Sequence, residues 1–114
     1  MALRPTLEVP VDSIAASHLA AAHADRLEVC SDLETEGWTP DLELLQRVIE
    51  LARPHETRVV ALIRPRLGTI NDGSHVQDFV MSGDRLESSC ASIDDFAAAG
   101  VDGVAIGPLL PDGR

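Results

Sequence analysis

Four short apolar runs, each separated from the next by a stretch of helical composition, set the tightest limit on how this chain folds. They cover residues 7–11, 26–30, 59–63 and 104–106. No two are joined by the tight turn that a hairpin needs, so the strands run parallel with right-handed crossovers. The order βαβαβαβ defines an α/β fold. The third run, Val59-Val60-Ala61-Leu62-Ile63, is continuously apolar and β-branched, as a strand buried on both faces requires. The first two alternate. Leu7, Val9 and Val11 share one face and Glu8 and Pro10 the other; Leu27 and Val29 oppose Glu28 and Cys30. Pro10 suits a strand end better than a mid-strand position.

The intervening segments carry helix signals. Asp12 or Ser13 caps a helix over 14–23. Thr39 as N-cap and Pro40 at the first helical position open a second. Leu42, Leu45, Val48, Ile49 and Ala52 form its apolar face, and Pro54 ends it. A third covers 83–99, with Gly100 as its stop. Residues 67–77, holding Gly68, Asn71, Asp72 and Gly73, read as a loop. Four such strands make either a small open sheet or the first part of a (β/α)₈ barrel, which needs at least about 200 residues.

Composition narrows the function. The 114 residues hold one domain at most. Nine arginines face nineteen acidic residues, lysine is absent, and the net charge is −10. Such a chain is repelled by nucleic acid and by an anionic membrane, so neither is expected as a partner. Trp38, Phe79 and Phe96 are its whole aromatic content, too little for a base-stacking platform. Without lysine no lysine Schiff base can form. No signal peptide or membrane span is expected, because no apolar run is long enough. Cys30 and Cys90 do not make a disulfide framework; a reducing cytoplasm with two free thiols is the expected setting.

Strand parity turns Glu8 and Glu28 away from the helices, where an unpaired carboxylate is costly. Arg64 and Arg66 share a parity near the C-terminal end of the third strand, the end at which α/β folds place their sites. The expectation is a polar cluster of Glu8, Glu28, Arg64 and Arg66. Either these groups only pair with one another and fix register, or the arginines also bind a small anionic ligand bidentately. Cys30, beside Glu28, is either a small buried hydrophobe or a soft thiolate donor suited to Cu(I). Cys90 reads as structural or half-exposed. His18 and His23 are five apart, which is not a shared metal geometry, and His55 and His75 fall in loops, so all four read as solvated. Asp94, Asp95 and Asp102 face solvent or cap a turn. Gly68, Gly73, Gly103 and Gly107 spell no nucleotide-binding motif.

The strings Leu7-Glu8-Val9 with Asp12-Ser13, Ala24-Asp25-Arg26-Leu27-Glu28-Val29-Cys30-Ser31, Glu36-Gly37 with Thr39-Pro40, Ile63-Arg64-Pro65-Arg66, and Gly100-Val101-Asp102-Gly103-Val104 with Gly107 together resemble the N-terminal half of the CutC family. That family is named for copper homeostasis, and its members are TIM-type barrels of about twice this length. The resemblance implies that residues 1–114 are the N-terminal half of one barrel domain. It implies a cytoplasmic protein associated with Cu(I), with Glu8, Glu28, Cys30, Arg64 and Arg66 at inward positions. Cys30 matches one of two cysteines proposed as copper ligands in some members; the other falls on Pro10. After Arg66 the family continues Gly-Gly-Asp-Phe, whereas here Asp78-Phe79 follow an insertion over 67–77. Three expectations result. The first is copper homeostasis with weak Cu(I) binding at Cys30. The second is a TIM-barrel enzyme whose Arg64 and Arg66 hold a small anionic substrate while Glu28 or Glu8 serves as acid/base. The third is an inactive truncated chain that self-associates through its open sheet edge.

Overall fold

The computed structural model describes residues 3–65, 79–81, 83–112 and 114. Strands β1 (Glu8–Val11), β2 (Arg26–Val29), β3 (Arg58–Leu62) and β4 (Gly103–Ala105) alternate with helices α1 (Ile14–Ala21), α2 (Leu42–Ala52) and α3 (Asp84–Ala99). The strands form one sheet in the order β1-β2-β3-β4, and every neighbouring pair is parallel. The α/β order read from the sequence is therefore the observed one.

One face of the sheet is covered by the helices. Val11, Leu27, Val29, Val59, Ala61 and Ile63 are buried there against Ala21, Leu45, Val48, Ala52 and Phe96. Full burial of a side chain such as Leu45 contributes about 2–3 kcal/mol. The apolar stripe of α2 meets the core at Leu45, Val48 and Ala52, while Leu42, at its first turn, is exposed. Leu7, expected on the core face, is also exposed, because β1 begins one residue later. Leu7 contributes its backbone instead: its carbonyl accepts from the N–H groups of Asp25 and Arg26.

Side chains tie the layers together. The Ser13 hydroxyl accepts from Ala16 N–H and caps α1. Thr57, buried before β3, donates its hydroxyl to Ala21 O at 2.6 Å and so fastens the end of α1 to β3. Asp102 is exposed, and it ties the start of β4 to β3: its carboxylate accepts from Val59 N–H at 2.7 Å, and its own N–H donates to Val59 O at 2.8 Å. Gly100 stops α3 at φ +95°, a left-handed conformation that glycine adopts without strain.

Two local expectations are corrected. Thr39 is not the cap of α2; Asp41 holds that position. Thr39 instead extends the ladder beyond β3, donating its N–H to Arg64 O at 3.0 Å and accepting from Arg64 N–H at 2.9 Å. This exchange satisfies backbone groups that a cap would have left to water. Asp12 does not cap α1 but accepts from Leu33 N–H at 3.0 Å, anchoring the β2–α2 loop.

Pro10 lies on β1, an edge strand among the described residues. The carbonyls of Leu7 and Val11 accept from β2-side N–H groups, Arg26 and Cys30 respectively. Backbone polar groups alternate sides along a strand, so the Pro10 nitrogen lies on the outer margin. No bond to β2 is lost there.

Candidate functional site

The helix-free face of the sheet is built in rows by the register. Glu8, Arg26 and Arg58 form the row nearest the strand N-termini. Pro10, Glu28, Val60 and Gly103 form the next. Cys30 and Leu62 follow above, both within 3.4 Å of where a Cβ on Gly37 would sit.

Glu8 and Glu28 are half-buried neighbours, as parity requires. Their cation is Arg26, whose Nε donates to Glu8 Oε2. Burial pushes the Glu28 carboxyl above the usual range; the hydrogen bond to Glu8 and the Glu8 charge add to this, and Arg26 opposes it.

Arg64 does not join the glutamates. It is buried beyond the end of β3, where Nη1 donates to Gly37 O at 2.9 Å and Thr35 O at 3.3 Å. Its guanidinium lies 4.1 Å from the Trp38 ring centroid and 5.5 Å from that of Phe79, within cation–π range. Height explains the separation. Glu28 stands opposite Val60, four residues below Arg64 along the same strand direction. At about 3.3 Å per residue that is about 13 Å, beyond an arginine's reach to a carboxylate two rows down. Arg66 and the whole 67–77 insertion lie outside the described residues.

Cys30 is 1% exposed, and its Sγ–H donates to Val11 O at 3.6 Å. Burial pushes its thiol up to about 11, with the charges of Glu28, Asp12 and Asp32 adding to the shift. Gly37 closes over it with φ +88°. The covering loop is held by an antiparallel bridge between Ser31 and Trp38 and by the bond from Trp38 Nε1 to Thr35 Oγ1 at 2.8 Å. Cys90 is exposed on α3. His18, His23 and His55 are exposed, and His75 lies outside the described residues. Among the described residues no three His, Cys, Asp or Glu side chains are grouped to hold a metal ion. No helix among them is long and apolar enough to cross a membrane.

Sequence reasoning passed over Arg26 and Trp38. Arg26 shares the parity of Glu28 and was legible by that rule. Trp38 carried no signal beyond being the one tryptophan.

The parallel β/α units, with helices on one face and a polar row on the other, define the wall of a TIM-type barrel. The chain belongs to the CutC family, whose sequence profile matches residues 5–114. It is 38% identical to a CutC family protein of Rhizobium meliloti over 112 residues, 97% of this chain and 40% of the relative. A CutC family protein of Xylella fastidiosa is 39% identical over 116 residues, covering all of this chain and 39% of that protein. The chain thus spans about two-fifths of the length of the curated relatives it matches. The solved structure of CutC from Streptococcus agalactiae, named as a copper homeostasis protein, shares the fold with a TM-score of 0.74 and 21% identity. That match covers 95% of this chain and 48% of the streptococcal one.

Proposed function

We propose that this chain serves copper homeostasis in the cytoplasm, with Cu(I) as a weakly held cargo and Cys30 as its soft donor. Family membership supports the role, and two unpaired cysteines suit the compartment. The state of Cys30 carries the weakness. A thiol at about 11 must lose its proton to bind Cu(I), at a cost about 100-fold greater than for a thiol at its ordinary 9.0. Pro10 offers no second sulfur. The test is a Cu(I) competition titration of the chain and of Cys30→Ser between pH 7 and 9. Affinity that rises with pH and disappears in Cys30→Ser supports the reading; unchanged affinity in the variant overturns it.

A second reading is favoured by the carboxyl pair. Glu8 and Glu28 lie side by side on the inward face, with Glu28 pushed toward its protonated form, the arrangement from which acid/base chemistry is built. Here the barrel acts on a small anionic substrate, with Arg64 and Arg66 as the cations at the strand ends. Phosphate and small carboxylates titrated into the labelled chain test it. Chemical-shift changes that vanish in Arg64→Gln support the reading, and shifts unchanged in that variant remove Arg64 from the site.

A further inference from the structure

The sheet has four parallel strands, half the number with which a TIM-type barrel closes. Among the described residues its outer strands, β1 and β4, are each paired on one side only. An unpaired strand border is a template for pairing with another chain. Exposed apolar side chains gather at these two borders. Leu7 leads into β1, and Leu19, 78% exposed, lies on α1, which packs against β1 and β2. Ile106 follows β4, and Leu86, 49% exposed, lies on α3, the crossover that leads into β4. Among the described residues, only Leu33 and Leu42 of the large exposed apolar side chains lie away from the two ends of the chain's wall.

Charge selects how a second copy fits. The chain carries a net −10, yet the four strands place as many basic as acidic side chains on the helix-free face: Arg26 and Arg58 against Glu8 and Glu28. The excess acid lies outside. Helix α3 holds Asp84, Glu87, Asp94 and Asp95 against Arg85 alone, whereas α1 holds no acidic residue. Pairing β4 with β4 of a second copy sets two acidic α3 helices side by side, a repulsive arrangement. Pairing β4 with β1 of the second copy places them on opposite sides of a ring, with the acid-free α1 as the next helix along. We propose that two copies of this chain associate head to tail, β4 of each against β1 of the other, and close an eight-stranded parallel barrel about a two-fold axis. The two junctions are then identical, and no strand border stays open. The helix-free face that carries Glu8, Arg26 and Glu28 gains its opposite wall from the same strands of the second copy. Such closure is independent of which ligand that face takes.

Sedimentation velocity of the full chain over about 1–100 μM gives the mass. The expected species is a dimer with nothing larger, because closure leaves no border for a third copy. A spin label on the exposed thiol of Cys90 gives the geometry, since Cys30 is buried. Across a closed ring the two α3 axes lie about 30 Å or more apart, given eight strands about 4.8 Å apart and a helix layer about 10 Å thick on each side. Across a β4–β4 junction they lie about 10 Å apart. A long dipolar distance in the dimer supports the ring, and a short one overturns it. Leu7→Asp and Ile106→Asp alter side chains already exposed in the single copy and should each weaken the dimer at least about tenfold. Leu42→Asp, exposed on α2 away from both borders, should leave it unchanged. A chain that stays monomeric throughout overturns the proposal and leaves both borders to strands of another polypeptide. Larger assemblies, or a dimer indifferent to Leu7→Asp and Ile106→Asp alike, overturn it too.

Discussion

Replacing Gly37 by alanine tests how tightly the β2–α2 loop closes over Cys30. Two costs add. Gly37 holds φ +88°, where a Cβ meets the following carbonyl, at about 1–2 kcal/mol. The new Cβ also falls 3.2 Å from Leu62 Cδ2, 3.3 Å from Cys30 Sγ and 3.4 Å from Cys30 Cβ. Cys30 cannot yield, because it is buried against Val11, so an overpacking cost of about 1–3 kcal/mol follows. Gly37→Ala should therefore destabilise the chain by about 2–5 kcal/mol. Gly100→Ala is the internal control. Gly100 has the same kind of backbone at φ +95°, but nothing lies within 4 Å of its Cβ position. It carries only the conformational cost of about 1–2 kcal/mol. Urea denaturation of the two variants, followed by circular dichroism, isolates the packing term as their difference. If Gly37→Ala costs no more than Gly100→Ala, the loop does not press on Cys30, and the account of a sealed thiol fails.

Three further predictions address other parts of the fold. Thr57→Val removes the hydroxyl that Ala21 O accepts in the interior and should cost about 1–2 kcal/mol in urea denaturation, whereas Thr57→Ser should recover most of it. Arg4 and the Leu7 N–H hold Asp25 below the usual carboxylate range. Its stabilisation is therefore present above the unfolded-state value near 3.8 and is lost as pH falls through the lower folded value; Asp25→Asn should remove that part of the acid transition, and an unchanged acid profile would refute the assignment. Iodoacetamide at pH 7.5, read by peptide mass spectrometry, should modify exposed Cys90 much faster than Cys30, since burial and a thiol pushed up to about 11 both protect the latter; equal rates would contradict it.

Much of the fold was legible because the hydrophobic pattern has only two periods to choose from. Alternation at Glu8–Val11 and at Arg26–Val29 separates the helix-covered face from the polar one, and the structure keeps that separation. Gly100 marks the end of α3 because few other residues accept its backbone. The site was legible only in part. Parity states which way a side chain points, not how far along the strand it lies. It placed Glu28 and Arg64 on one face yet said nothing of the four residues of rise between them. Thr39 failed as a cap for a similar reason: a threonine before proline is a good local N-terminus, but Arg64 supplied partners for it from 25 residues away. Long-range competition of that kind leaves no trace in a local pattern. Trp38 became the platform for Arg64 only once the loop had folded back across the strand ends.

The imino nitrogen of Pro10 gives the sheet a direction of growth. On the β1 margin a new strand meets a row from which one donor is missing, a deficit of about 1 kcal/mol against a complete ladder. The β4 margin has no proline between Gly103 and Ala105. A strand arriving from elsewhere in the polypeptide or from a second copy thus finds one receptive border and one reluctant one. Two β1 borders make the poorest pair of all.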